Sequence, residues 1–205
     1  MLSLMAYGSA QYAYRRWQIS KLHAATLRHE QELEQWLAPP RKVGDNAPPI
    51  LLRTWLREPV PALTIGSVTA GNSRSATNAT WGPLILDFWH TRCPPCVAAL
   101  PRLSALQEKY KTKGLRVVGI TGVGQAPAGE ELPYTRNEIV AFVSKRTDLH
   151  LSFALDNDFE CVRGFSAFRL SGSPQTFMIN REGRVVWADY GVLKNDEDIE
   201  RLLQL

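Results

Sequence analysis

The 205-residue sequence contains only three cysteines and no long apolar run. Three cysteines are too few for a disulfide framework, and Cys93 and Cys96 are too close in the chain to staple a fold, so they indicate a functional pair. The mildly apolar residues 2–13 end at Arg15-Arg16, well short of the roughly 20 residues that a spanning helix needs. No basic stretch precedes them, which argues against a cleavable signal peptide. A shortened anchor stays an alternative.

The larger part of the chain also carries little net positive charge with which to bind nucleic acid. Residues 1–59 carry eight Lys and Arg against five Asp and Glu, whereas residues 60–205 carry sixteen against fifteen. The larger part is therefore nearly neutral, and no basic stripe interleaved with aromatic residues is present. The sequence predicts no nucleic-acid partner.

Composition and the positions of prolines and polar loops divide the chain into three predicted parts. Residues 1–38 contain a polar helix from Arg15 to Leu37, which ends at Ala38-Pro39-Pro40; we interpret it as a spacer, with docking to a membrane or to a second copy as the alternative. Residues 39–82 form a linker with short strands and a polar loop. Residues 83–205 form the catalytic domain.

The last part alternates apolar strand patterns with helical ones. A helix with apolar residues three or four apart follows Cys96, with a kink expected at Pro101, and Thr135 and Glu138 form a capping-box pattern before another helix. The predicted strands after Cys96 are 115–121, 151–155, 174–179 and 185–189, the last two forming a hairpin, and a final helix covers 196–203. This order predicts an α/β sandwich with a mixed sheet.

The chemistry is concentrated where the apolar residues 84–88 lead into Cys93-Pro-Pro-Cys96. The amino end of a helix stabilises a thiolate, so Cys93 is predicted to be the exposed, acidic nucleophile and Cys96 the resolving thiol. A zinc half-site is the alternative, but only Cys161 and four scattered histidines remain as further ligands. We interpret Cys161 as a core residue, with a second resolving thiol as the alternative.

Residues 83–205, about three-fifths of the chain, resemble the thioredoxin-fold domains of the TlpA/ResA-like redoxin group. The resemblance implies a thioredoxin-like three-layer sandwich with a mixed central sheet, here with an N-terminal helical extension. It rests on Ile85-Leu-Asp-Phe-Trp89, Cys93-Pro-Pro-Cys96, Pro101, the 114–120 strand, Gly172-Ser-Pro174-Gln-Thr-Phe-Met-Ile-Asn180 and Gly183.

The resemblance also implies roles for single residues. Asp87 lies in an apolar strand, where burial would raise the pKa of its carboxyl, and it matches the family's general base for the Cys96 proton. Pro174 matches the family's cis-proline, which would aim the Ser173 backbone at an extended substrate segment. The predicted substrate-binding residues are Ser173, Pro174, Trp89 and Arg92.

Two positions depart from the family pattern. Arg92 stands where tryptophan is usual and His90 where a small residue is common. Positive charge from Arg92, with a contribution from His90, should lower the pKa of Cys93 and make the couple more oxidising than that of thioredoxin, about −270 mV. The alternative is that Arg92 points into solvent.

These observations predict a thiol–disulfide oxidoreductase acting on protein thiols and disulfides, supplied by an upstream electron donor or acceptor. No cofactor or metal is predicted beyond the redox-active Cys93–Cys96 disulfide. The alternatives are a peroxiredoxin-like peroxidase, although Thr91-Arg-Cys93 lacks the expected Thr-x-x-Cys spacing, and a non-enzymatic Cu(I)-binding redoxin. The family implies an extracytoplasmic, membrane-tethered location, with a cytoplasmic one as the alternative.

Overall fold

A computed structural model describes residues 14–23, 26, 40–50, 52–57, 82–124, 131–157, 159–170, 172–191 and 195–204. The chain divides into two units, residues 1–40 and 41–205. In the first unit, residues 14–23 and 26 are helical, and the rest of the predicted N-terminal helix lies outside the described residues. No helix among the described residues is both long and apolar enough to cross a bilayer.

The second unit holds the strands and helices on which the site is built. Its described strands are β1 (Thr54–Arg57), β2 (Leu84–Phe88), β3 (Arg116–Val123), β4 (Ser152–Asn157), β5 (Gln175–Ile179) and β6 (Val185–Tyr190). Its described α-helices are α1 (Pro94–Tyr110), α2 (Arg136–Lys145), α3 (Glu160–Ser166) and α4 (Asp196–Gln204).

The six strands form one mixed sheet in the order β1-β4-β3-β2-β5-β6. Strands β2, β3 and β4 are parallel, while β1 runs antiparallel to β4 and the hairpin β5–β6 runs antiparallel to β2. All five residues of β2 are buried, as expected for a central strand covered on both faces. The predicted α/β class and mixed sheet are confirmed.

Helices cover both faces of the sheet and give the three layers. On one face, the buried residues of α1, α2 and α4 pack with alternate residues of β2 and β3, including Ile85 and Val117. On the other face, Cys161 and Phe165 of α3 pack with Leu86 and Phe177. The alternation of side chains along a strand explains why neighbours in sequence enter different clusters.

Residues 44–47 and strand β1, which lie in the segment predicted as a linker with short strands, pair with the sheet of the second unit. The backbone of residues 44–47 bonds to the β5–β6 hairpin, with Gly44 N–H donating to the Val185 carbonyl at 2.7 Å and Ala47 N–H to the Gly183 carbonyl at 2.7 Å. Strand β1 then adds to the edge of β4. The structure therefore places residues 41–57 within this unit, because long-range backbone pairing holds them there.

Two helix starts match their sequence signals. Helix α2 opens with a capping box, in which Glu138 N–H donates to Thr135 Oγ1 at 3.2 Å and Thr135 N–H donates to Glu138 Oε2 at 2.7 Å. Helix α1 starts directly after Cys93, which is its N-cap, and continues through Pro101. The dithiol thus occupies the amino end of a helix whose inner face packs on the sheet.

Candidate active site

The centre of the site is a disulfide between Cys93 and Cys96. Cys93 is the N-cap of α1, and its sulfur accepts a hydrogen bond from Cys96 N–H at 3.3 Å. The exposed fraction of Cys93 is 6%, and that of Cys96 is 0%. Cys93 is therefore the more exposed residue of a largely buried pair, and its role as the attacked sulfur stays a prediction.

The start of α1 also fixes the electrostatics at Cys93. Prolines occupy the first two helical positions, where their missing N–H groups leave no buried donor unsatisfied. The Cys96 N–H is the nearby amide that points at the Cys93 sulfur. After reduction, this hydrogen bond and the positive end of the helix would stabilise a Cys93 thiolate.

The loop before β5 borders the disulfide loop. The Ser173–Pro174 peptide bond is cis, Pro174 is buried and Ser173 is half-buried. Antiparallel pairing places Gln175 opposite Phe88, the last residue of β2, so the loop that carries Pro174 lies at the same sheet edge as the chain leading to Cys93. The Pro174 carbonyl accepts from Gly191 N–H at 3.0 Å, which fixes this loop to the end of β6.

Asp87 is a fully buried carboxylate in the middle of β2. Alternation along the strand puts it on the same sheet face as Ile85 and Trp89, which pack in one cluster with Cys96. Burial raises the pKa of Asp87 to about 7, and the hydrogen bond from Thr176 opposes that rise. Its Oδ2 has no hydrogen-bond partner among the described residues. The group is therefore tuned to exchange a proton near neutral pH.

Thr176 is a site residue that the sequence reasoning missed. It stands directly opposite Asp87 in the β2–β5 register, and its Oγ1 lies 2.8 Å from Asp87 Oδ1. Thr176 was visible only as a member of the Ser-Pro-Gln-Thr stretch. Its partner depends on strand register, which local patterns do not specify.

The Arg92 side chain is paired with an acidic residue. It is therefore neither a free charge beside the disulfide nor a side chain that contacts only solvent. Its guanidinium forms an ion pair with Glu138 at the start of α2, and the two side chains are 60% and 36% exposed. The hydrogen bond with the Thr135 backbone, followed by that with Arg92, lowers the pKa of Glu138 below its ordinary value. Glu138 thereby offsets much of the positive charge expected beside Cys93.

Glu138→Gln should raise the reduction potential of the dithiol, because it frees the Arg92 charge to stabilise the Cys93 thiolate. Glutamine still serves the capping box of α2. The rise should not exceed about 20 mV, since exposed charges are screened. Equilibration in glutathione buffers measures it, with Glu182→Gln in the turn before β6 as the control of equal charge change. A potential that falls, or that matches the control, contradicts the effect.

The ring of His90 stacks on that of Tyr134, with centroids 4.8 Å apart. Burial lowers the pKa of the imidazole below its ordinary value, which favours the neutral form. The structure therefore gives no support to the prediction that His90 adds positive charge beside Cys93. The sequence does not reveal this packing against an aromatic ring.

Trp89, predicted to bind substrate, lies in the core of the unit. Its exposed fraction is 3%, and its ring packs between Phe142 and Phe153 with centroids 5.3 and 5.4 Å away. The burial gives no support to a direct contact between this ring and a substrate. Trp89 instead joins β2, β4 and α2 behind the disulfide loop.

Cys161 is a free, buried thiol on the opposite face of the sheet from the disulfide. Burial raises the pKa of this thiol well above its ordinary value. Its backbone N–H donates to Asp156 Oδ1 at 3.0 Å. The position matches a core residue, and the sheet separates it from the reacting pair. Among the described residues, no cluster of three His, Cys, Asp or Glu side chains suited to a metal ion occurs.

Comparison with known proteins matches a family model described as Redoxin to residues 43–203. Thiol-disulfide oxidoreductase ResA of Bacillus cereus is 29% identical over 59% of this chain and 61% of that protein, and ResA of Bacillus subtilis is 27% identical over 50% of each. This chain spans about half to three-fifths of the length of such curated relatives. The thioredoxin domain of a Bacteroides vulgatus thiol-disulfide oxidoreductase superposes on 80% of this chain and 99% of that one, with TM-score 0.53 and 18% identity, and shows the same fold.

Proposed function

Since this chain belongs to the redoxin family, we propose that it is a thiol–disulfide oxidoreductase that exchanges disulfides with protein substrates through Cys93 and Cys96. The observation that carries the proposal is the disulfide at the start of α1, with Cys93 as its more exposed sulfur. The ResA relatives, which are named for this activity, support it over the matched segment.

In the reducing direction, the Cys93 thiolate attacks a substrate disulfide, forms a mixed disulfide and releases one substrate thiolate. Cys96 then loses its proton, and its thiolate attacks the Cys93 sulfur. The bond between Cys93 and the substrate breaks, the second substrate thiolate leaves, and the Cys93–Cys96 disulfide forms. Two electrons pass to the substrate, whose thiolates take up protons. The oxidising direction is the reverse.

Asp87 is the proposed acceptor of the Cys96 proton. It lies on the sheet face that α1 covers, and the raised pKa of its carboxyl lets it accept and return a proton near pH 7. Water is a suitable carrier between the two groups. Asp87 and Cys96 are both buried, so we assign this proton transfer to the resolving step, in which Cys96 reacts inside the protein.

The proposed docking surface surrounds the exposed sulfur. Ser173 offers half-buried backbone beside the buried Pro174, at the edge of the sheet where an extended substrate segment would lie beside Cys93. Arg92, held by Glu138, adds a charged rim. Partners are protein thiols and disulfides, together with an upstream electron donor or acceptor, and no cofactor is required beyond the disulfide.

The proposed location is extracytoplasmic, with a membrane tether through residues 1–38. The support is the resemblance to the TlpA/ResA-like group, whose domains face that side.

Cys96→Ala should trap covalent complexes with substrate proteins through Cys93, because the resolving thiolate is missing and the mixed disulfide persists. Non-reducing electrophoresis of the variant purified from cells, followed by mass spectrometry, should show adducts that dithiothreitol releases. The double variant Cys93→Ser/Cys96→Ala is the control and should form none. The absence of reducible adducts from Cys96→Ala, with no reduction of insulin by the unaltered chain, would overturn the proposal.

A further inference from the structure

The hydroxyl of Thr176 lies between two hydrogen-bond acceptors. Its Oγ1 is 2.8 Å from Asp87 Oδ1 and 2.7 Å from the carbonyl oxygen of Gly191. A threonine hydroxyl carries one hydrogen and can donate to only one of them at a time. The geometry therefore permits two arrangements, and the protonation state of Asp87 decides between them.

When Asp87 is ionised, both of its oxygens are acceptors, and the Thr176 hydroxyl has to donate to Oδ1. The Gly191 carbonyl then loses this donor. When Asp87 is protonated, its own O–H donates to Thr176 Oγ1, and Thr176 donates to Gly191. Asp87 Oδ1, the Thr176 hydroxyl and the Gly191 carbonyl then each have a hydrogen-bond partner, as favoured at buried positions.

We propose that Thr176 is a positioning residue whose hydroxyl turns between Asp87 and Gly191 as Asp87 gains and loses its proton. The inference rests on the proposed function, in which Asp87 serves Cys96. Gly191 is at the docking edge, since its N–H donates to the Pro174 carbonyl at 3.0 Å. Thr176 thus links the buried acid to the loop that would hold the substrate.

Among the described residues, the Thr176 hydroxyl is the group that forms a hydrogen bond with the Asp87 carboxyl. Burial is the cause of the raised pKa of Asp87, and the hydrogen bond from Thr176 acts against it. The neighbours of Asp87 across the sheet are Gly119 in register on β3 and Thr176 on β5, with the exposed Asp189 beyond it on β6. Cys96 of α1 lies in the buried cluster on the same face of the sheet. In the oxidised protein Cys96 does not titrate, so Asp87 can be followed alone.

The reorientation of the Thr176 hydroxyl follows the proposed reaction step by step. Before resolution, Asp87 is a carboxylate and holds the Thr176 hydroxyl. When Cys96 transfers its proton to Asp87, the carboxyl O–H turns to Thr176, and the Thr176 hydroxyl turns to Gly191. Product formation at Cys93–Cys96 is thereby coupled to a hydrogen bond at the loop from which the substrate leaves. No further oxidant or reductant is involved.

Thr176→Val, which keeps the shape but removes the hydroxyl, should raise the pKa of Asp87 by about 1, because a charge-assisted bond to the carboxylate is lost. The half-exposed Gly191 carbonyl can accept from water instead. Carbon-13 NMR of the oxidised full chain between pH 4 and 10 measures the Asp87 carboxyl and Gly191 carbonyl signals. In the unaltered chain and in Thr176→Ser both should titrate together, whereas in Thr176→Val the Gly191 signal should no longer follow.

Thr121→Val is the matched control, since Thr121 is a buried strand threonine whose hydroxyl donates to the Trp89 carbonyl at 2.9 Å. It should leave the Asp87 midpoint unchanged. An unchanged midpoint in Thr176→Val, or a Gly191 signal that still follows Asp87 in that variant, overturns the proposal. The titration needs no substrate, so its failure is distinguishable from a failure of Cys96→Ala to trap adducts.

Discussion

Replacing Cys93 by serine should reduce the rate of disulfide reduction by about a thousandfold or more. Cys93 is the sulfur that an incoming partner reaches, and a serine hydroxyl at neutral pH does not supply the ionised nucleophile that thiol–disulfide exchange requires. Helix α1 should form as before, because serine is a good N-cap and accepts from the same backbone N–H. Turbidity of insulin in the presence of dithiothreitol measures the rate.

Cys161→Ala is the matched control for this loss. It also removes one sulfur, but on the other face of the sheet, in a cluster with Phe165 and Phe177. We expect full activity and a modest loss of stability from the small cavity. Activity in Cys93→Ser comparable to that of Cys161→Ala would contradict the role of Cys93 as the attacking thiol.

The second large effect is on stability, at Asp87. The folded-state pKa of its carboxyl is about 7, against an ordinary value of 3.8. The folded state therefore holds the Asp87 proton over a range of pH in which the unfolded chain has lost it. Between about pH 4 and 7 the free energy of unfolding should fall as pH rises, by up to about 4 kcal/mol in total from this group. Above pH 7 its contribution should be constant.

Asp87→Asn should remove this fall. The asparagine amide can donate to Thr176 as the protonated acid does, so the variant should be more stable than the unaltered chain at pH 8, by roughly 2–4 kcal/mol, and similar to it at pH 4. Urea unfolding of the two oxidised proteins across this range measures the difference. His90, with its lowered pKa, contributes equally to both proteins and cancels.

Asp189→Asn provides the control of equal charge change, at an exposed carboxylate on the neighbouring β6. It should leave the pH dependence close to that of the unaltered chain. If Asp87→Asn keeps the same fall in stability between pH 4 and 7, the raised pKa of Asp87 is refuted, and with it the proton-accepting role.

Features that depend on neighbouring residues were predictable from the sequence. The capping box of Thr135 and Glu138 is present, and the predicted strand at 115–121 appears as β3 at Arg116–Val123. The final helix, predicted for 196–203, is Asp196–Gln204. The periodicity of apolar residues and the pairing of a cap with its third neighbour are local, so they survive in the fold.

Features that depend on distant residues were not predictable. The ion pair of Arg92 joins residues 46 positions apart, and the Thr176–Asp87 bond joins residues 89 apart. Burial lowers the pKa of His90, whose ring stacks on that of the distant Tyr134. In each case the sequence gives the residue type but not the residue that it contacts. That contact depends on strand register and loop packing, which local patterns do not specify.

The pairing of residues 44–47 with the β5–β6 hairpin has a consequence for the order in which the chain folds. It joins segments about 140 residues apart, so its formation closes a very long loop and is slow compared with contacts between neighbouring elements. The paired turn lies at the end of β5 opposite Pro174. We expect the edge of the sheet that carries Cys93 and Pro174 to fold before residues 44–47 pair with the hairpin. During synthesis, that segment has to wait for the last strand to emerge.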